Sequence, residues 1–338
     1  MSSSVLSTLR FRGFVSLLAL LLSSLTARSE TCQTASDMDA ATNTALTTTG
    51  SRYFDMVVRG DAASLRQNAI PSVASVFAGI EATVKDHQQA LAGSRGAARP
   101  AFVLVAEGSG PIARAEFLCG VFGKSGQTSN SAAFYLNNLP PGKYAVVIMD
   151  AAPVKVPTAV SFVLQQVGSD WKLGGLYIKE LQFGGHDSDW FAARAREYKN
   201  KGQQHNAWLY FLEARSLISP LPFMSTAATD KLYDESQKLQ PSDLPADGKI
   251  VDLPAGAATY KLIDVFPQVV GNDLDLIIKY QASDISNTNQ TYQNNVAVMK
   301  ALLAKYPELR DAFAAIVARA VDPSGHDYGT LLTMKDIK

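Results

Sequence analysis

Residues 101–107 read AFVLVAE and residues 113–122 read ARAEFLCGVF. Here the apolar period changes from the three-to-four spacing of a helix to alternation, as in Ala115, Phe117, Cys119 and Val121, the mark of a strand with one face buried. Four more such runs follow at 131–136, 144–150, 159–167 and 171–180. Short turns separate them, among them Gly108-Ser109-Gly110-Pro111, Pro140-Pro141-Gly142 and Gly168-Ser169-Asp170. Connections this short predict antiparallel neighbours. Upstream, Tyr53, Phe54, Val57, Val58 and Leu65 begin a helical pattern. A second helix is expected over 73–91, with Val73, Phe77, Ile80, Val84, His87 and Leu91 on one face.

Downstream, Asp187, Ser188 and Asp189 mark a helix start, where a side-chain oxygen can cap free backbone N–H groups. A helical pair is expected to follow, with a short helix at 226–238 and a linker at 240–248 (QPSDLPADG). Strands at 258–266 and 274–282, a helix at 290–305 and strands at 313–320 and 328–334 then suggest a ββαββ module. The expected fold is α+β: two N-terminal helices on a curved antiparallel sheet (50–182), a helical hairpin with a short helix (186–240), and the ββαββ module (248–338). Residues 30–49 read as a leader segment.

Tyr53-Phe54-Asp55, Arg59-Gly60-Asp61 and Leu65 resemble the opening helix of the nuclear-transport-factor-like superfamily. Trp171-Lys172-Leu173-Gly174-Gly175-Leu176-Tyr177 resembles its closing strand. That resemblance implies a cone whose mouth can hold a small molecule, in a superfamily of isomerases, dehydratases and interaction domains. A second resemblance covers 187–219. Phe191, Ala195, Tyr198, Gly202, Ala207, Phe211 and Ala214 sit near the packing positions of one tetratricopeptide repeat. One repeat cannot bury its own apolar face and needs neighbours.

The N-terminus reads as an export signal, with an uncleaved anchor as the alternative. Arg10 and Arg12 precede the uncharged run FVSLLALLL (14–22), and residues 23–27 turn small and polar. Cleavage after Ala27 or after Ser29 fits the small residues there, giving a signal peptide of 1–29 and a periplasmic or extracellular product. The run is shorter than the ~20 apolar residues a membrane span needs, and no later segment reaches that length. Composition is that of a globular chain, 47% apolar and 18% charged with no net formal charge. Nucleic acid, which calls for a basic face, is therefore not an expected partner. The expected partner is a protein or a small apolar ligand.

Two cysteines, Cys32 and Cys119, make one disulfide possible in an oxidising compartment. A buried free thiol at Cys119 is the alternative. No paired Cys or Cys/His spacing suggests zinc, and neither a metal nor a cofactor is expected. His186 with Asp187 and Asp189 reads as a helix cap, and Ser324, His326 and Asp327 as a tight turn that cannot orient a triad. His205 reads as a surface residue. No nucleophile elbow, phosphate loop or dinucleotide fingerprint occurs. The candidate ligand-binding residues are Arg114 and Glu116 on one strand face, Tyr135, Asp150 at a strand end, and His87 on the helical stripe. The leading expectation is a non-enzymatic binding or scaffolding protein of the envelope. The alternative is an isomerase- or dehydratase-like enzyme with Asp150, Glu116 or His87 inside the cone. N-terminal sequencing of exported material should start between Arg28 and Glu30; an intact Met1 would reject the signal.

Overall fold

The computed structural model describes residues 30–338 apart from 125, 247 and 272, so the expected export signal lies outside the described residues. The leader region 30–49 holds a strand, β1 (Glu30–Gln33), and the first half of α1 (Ala40–Arg59). Asp39 caps α1 by accepting the Thr42 N–H at 2.7 Å. Gly60 ends it at φ 70°, a left-handed conformation that glycine adopts without a Cβ clash. Leu46, Gly50, Tyr53, Phe54 and Val57 form its buried stripe. Then come α2 (Ala62–Gln67), α3 (Pro71–Ala74) and α4 (Ala78–Leu91). The helix expected over 73–91 is thus divided, with Val73 in α3 and Phe77 at the N-cap of α4.

The strands are β2 (Arg95–Ala98), β3 (Phe102–Ala106), β4 (Ile112–Gly123), β5 (Gly126–Leu139), β6 (Gly142–Ala152), β7 (Thr158–Val167) and β8 (Asp170–Glu180). They do not form the single curved sheet expected. The order β1-β3-β6-β7-β8, with β2 on β6, makes one sheet, and β4 and β5 belong to another. Burial explains the division. Val103, Ala145, Val147, Met149 and Phe162 face Tyr53, Phe54, Val57 and Val84 of the helical layer. Leu104, Val146, Ile148 and Ala159 face the other way, onto Ala115, Phe117, Cys119, Ala132 and Phe134. Residues 144–149 are buried at every position, as in a strand covered on both sides. This overturns the fold expected from sequence. Four helices, not two, lie between β1 and the remaining strands of the main sheet, and the face expected to open as a cone is covered by the β4–β5 hairpin.

The Cys32–Cys119 disulfide ties β1 of the main sheet to β4 of the hairpin, across a Cα–Cα distance of 5.1 Å. A register shift in β8 at Gly174 pairs Leu173 with Leu164 but Gly175 with Val163. Such a bulge re-aims the side chains beyond it. Trp171 and Leu173 therefore pack on the helical layer, while Tyr177 joins the core on the hairpin side.

The strand pair β9 (Gln182–Phe183) and β10 (His186–Asp187) leads into α5 (Ser188–Asn200) and α6 (Gln204–Ile218). The Asp187 side chain caps α5, accepting the Trp190 N–H at 3.0 Å. The chain then returns to the hairpin, where β11 (Met224–Thr226) pairs antiparallel with β5 before α7 (Ala227–Gln237). The C-terminal sheet runs β12 (Val251–Ala255), β13 (Ala258–Val270), β14 (Asp273–Gln281), β15 (Ala315–Val321) and β16 (Asp327–Thr333). It has one strand more than the expected module. Its β14–β15 pair is parallel, crossed over by α8 (Thr288–Lys305) and a 3-10 turn (Pro307–Asp311). One core joins Trp208 and Phe211 of α6 to Leu276, Ile278, Leu302 and Ile316 of this last part.

An alanine Cβ at Gly50 would lie 2.6 Å from Val147 Cγ1 and 3.2 Å from Met149 Sδ. Gly→Ala inside a helix ordinarily gains about 1 kcal/mol. Overpacking a close helix–sheet contact costs about 1–3 kcal/mol. Gly50→Ala should therefore fail to stabilise the chain and cost up to about 2 kcal/mol in chemical denaturation. A more stable variant would show that α1 does not approach β6 so closely.

Candidate functional site

The five residues singled out from sequence lie in three places. Glu116 on β4 stands directly across from Tyr135 on β5, and the Arg114 guanidinium lies 5.6 Å from the Tyr135 ring centre. Burial, then the neighbouring Glu116 and Asp230 carboxylates, pushes the Tyr135 phenol above its ordinary pKa. Arg114 and Glu116 are exposed, however, so this cluster sits on the outer face of the hairpin sheet. Asp150 is held by Arg99, with Nη2 donating to Oδ1 at 2.7 Å and Nε to Oδ2 at 2.9 Å. Only His87 of the five lines the large cleft described next.

That cleft has a volume of about 790 Å³, within the ~300–1,000 Å³ range of small-molecule sites. It opens where the main sheet ends, because β8 is the edge strand. Leu176, Tyr177, Ile178 and Lys179 of β8 supply one side, and Thr83 and His87, one turn apart on α4, supply another. The His87 Nδ1–H donates to the Thr83 carbonyl at 2.9 Å. Leu212, Arg215, Ser216 and Ser219 present one face of α6, at the spacing that keeps side chains on a single stripe. Leu221 and Met224 before α7, and Asp230 and Tyr233 on it, complete the lining.

The polar groups of the cleft are held in place. Lys179 Nζ donates to Ser216 Oγ at 2.9 Å. Arg215 donates to Ser236 Oγ at 3.1 Å and lies 4.6 Å above the centre of the Tyr233 ring. Asp230 accepts from Ser225 Oγ and, at 2.8 Å, from Gln127 Nε2. The arrangement offers an apolar surface with two fixed cations near one helix face. Such a surface can hold an apolar body and pair its anionic end. No group of three His, Cys, Asp or Glu side chains among the described residues is placed to hold a metal ion.

The other histidines lie elsewhere. His186 stacks on Trp190 at 3.8 Å between ring centres. His326 Nδ1 sits 2.8 Å from Ser324 Oγ in an exposed turn, while Asp327 pairs with Arg319. His205, expected on the surface, is instead clamped between two carboxylates. Nδ1 is 2.7 Å from Glu308 Oε1 and Nε2 is 3.1 Å from Asp243 Oδ1. Both ring nitrogens therefore face carboxylate oxygens, which can only accept. Comparison with family models, curated proteins and solved structures finds no match to this chain, and the two sequence resemblances rest on the residues quoted for them.

Burial raises the Asp243 carboxyl, but the hydrogen bond and charge of His205, with help from Tyr306, outweigh it and hold the group below its ordinary value. A carboxyl lowered in the folded state stabilises above its unfolded pKa of about 4, and that stability is lost as pH falls through the folded value. His205→Gln should cost about 1–2 kcal/mol at about pH 6, a figure kept small because Asp243 is 43% exposed. The deficit should shrink below about pH 4. Urea denaturation across this range that shows a constant deficit would exclude the clamp as its source.

Proposed function

We propose that this chain is an exported, non-enzymatic binding protein, and that its ligand is a small amphipathic carboxylate seated in the cleft beside β8. The observation that carries the reading is the pairing of Lys179 and Arg215 with the apolar lining of Leu176, Ile178, Leu212, Leu221 and Met224. Leucine and methionine side chains take an alkyl body, and each methylene removed from water contributes about 0.8 kcal/mol. A carboxylate then gains charge-assisted hydrogen bonds from the two cations. The Cys32–Cys119 bridge fits an oxidising compartment, and no helix among the described residues is long and apolar enough to cross a membrane. The competing enzyme reading retains only His87 in the cleft, since Glu116 and Asp150 lie elsewhere.

Isothermal titration with decanoate tests the proposal. Saturable one-to-one binding is expected, and Lys179→Gln should weaken it about tenfold, equivalent to about 1.4 kcal/mol. Decanol, which lacks the charge, should bind wild type and variant alike. Absence of decanoate binding, or indifference to Lys179→Gln, would reject the carboxylate site.

A further inference from the structure

The sheet edges are guarded unequally. An open edge carries unpaired backbone groups that invite another strand, and natural sheets blunt it with proline, lysine, bulges or a cover. β8 is covered by residues 68–70 before it reaches the cleft. Along β4, the Glu116 N–H donates to the Glu30 carboxylate at 3.2 Å. In the C-terminal sheet, β12 contains Pro254, and β13 carries Pro267 where it runs on beyond β12. β16, the other edge of that sheet, has none of these guards. Its stretch 328–333 (YGTLLT) holds no charge and no proline, and its pairing with β15 has no register shift.

The register fixes which groups of β16 are free. Met334 N–H donates to the Ala314 carbonyl at one end of the β15–β16 pair, and Asp322 N–H to the His326 carbonyl at the other. Hydrogen-bonded pairs alternate along an antiparallel ladder, so Tyr328, Thr330 and Leu332 bond to β15. The N–H and C=O groups of Gly329 and Leu331 therefore point outward, and no hydrogen bond among the described residues takes them up. Both residues are exposed, Leu331 at 46%. Thr330 meets Asn295 of α8, so Gly329 and Leu331 lie on the opposite face, beside Arg319 and Val317. Gly329 does not have the positive φ that demands glycine. A Cβ there would sit 3.7 Å from Arg319 Cγ and 3.9 Å from Val317 Cγ1, in ordinary contact. The glycine thus leaves a shallow hollow two residues from a protruding leucine.

We infer that β16 is a self-pairing edge, where two copies of this chain join as antiparallel neighbours about a two-fold axis at Thr330. That axis sets Gly329 opposite the partner's Leu331 and Leu331 opposite the partner's Gly329, each pair exchanging both backbone bonds. Each leucine then packs into the hollow over the other copy's glycine. The charges agree with this direction. Asp327, already paired with Arg319, falls opposite the partner's Thr333. Lys335, exposed and without an ion pair among the described residues, is carried toward the turn that holds the partner's Asp322. Asp336 beside it is engaged by the Thr333 hydroxyl. A contact one strand wide and about 24 Å long is smaller than the ~800 Å² per partner of a standard interface, so association in the micromolar range is expected.

Sedimentation of the full mature chain between about 1 and 200 μM tests the edge. Wild type should pass from monomer to dimer over that range and go no further, because a two-fold contact closes. Leu331→Lys, which puts a charge on the edge, and Gly329→Val, which fills the hollow, should each stay monomeric at the highest concentration and melt as monomeric wild type does. Val76→Lys, at an exposed apolar position in the N-terminal part, should dimerise like wild type. A wild type that stays monomeric would overturn the self-pairing and leave the edge to a strand of another protein. Growth beyond a dimer, a dimer that persists in Leu331→Lys or in Gly329→Val, or equal loss in Val76→Lys would overturn it as well.

Discussion

Helix α6 has almost no polar face, and a helix apolar all round must be enclosed. Trp208, Leu209, Tyr210, Phe211, Ala214 and Leu217 are buried, and so are Asn206 and Glu213. The surrounding elements fix it through its few polar groups. Asn206 Nδ2 donates to the Glu308 carbonyl at 2.6 Å, Tyr210 OH to that of Ala312 at 2.7 Å, and Ser188 Oγ to that of Ala214 at 2.8 Å. Burial, then the neighbouring Tyr198, lifts the Tyr210 phenol well above its ordinary range, and burial, only partly offset by Lys179, raises the Glu213 carboxyl. The enclosure is incomplete along one stripe, from Leu212 through Arg215 and Ser216 to Ser219, and the cleft lies there.

The main sheet sets where the other wall of the groove can be. With helices on one face and the β4–β5 hairpin on the other, no face is left to receive a ligand. Its edge remains. Natural sheets cover such edges with loops or helices, since unpaired strand backbone invites foreign strands. Here residues 68–70 cover part of β8, with Leu173 N–H donating to the Asn68 carbonyl and Ile70 N–H to that of Leu173, both at 2.9 Å. Beyond the bulge at Gly174 that cover ends, and Leu176, Tyr177, Ile178 and Lys179 line the cleft. The bulge sends Tyr177 to the hairpin side, where it meets Phe223 edge-on at 5.3 Å.

Local pattern made some of this legible. Alternation marked the strands, the Asp187 cap was readable from its spacing, and two cysteines in a chain expected to be exported pointed to the Cys32–Cys119 bridge. What failed depended on partners far along the chain. The alternation of 113–122 shows that one face is buried but not against what, so β4 reads equally well as part of one sheet or two. Arg114, Glu116 and Tyr135 do come together, as cross-strand neighbours should, but burial of the opposite face turns them outward. The His205 clamp uses Asp243 and Glu308, 38 and 103 residues away. The cleft cations were invisible for the same reason, because Lys179 and Arg215 belong to different elements. His87 entered the list through its helical stripe, a signal that carries no information about the cleft wall opposite.

The position of the groove has an energetic consequence. One hydrophobic core joins α5, α6 and the C-terminal sheet, while the N-terminal helices, the main sheet and the hairpin build their own. Between them run the β11–β5 pairing, Leu221 inserted beneath the hairpin, the bonds of Gln127 to Ser225 and Asp230, and the Lys179–Ser216 contact. Lys179 stands on the N-terminal side of this junction and Arg215 on the other. A carboxylate held by both would add a charged link across it. A ligand that binds only the native arrangement stabilises it by RT ln(1 + [L]/Kd), about 2.7 kcal/mol at a hundredfold excess over Kd. That gain would fall on the junction, since neither cation alone defines the site. Arg215 is already oriented by Tyr233 and Ser236, so little of its side-chain entropy remains to be lost on binding. Lys179 is likewise oriented, by its bond to Ser216 Oγ.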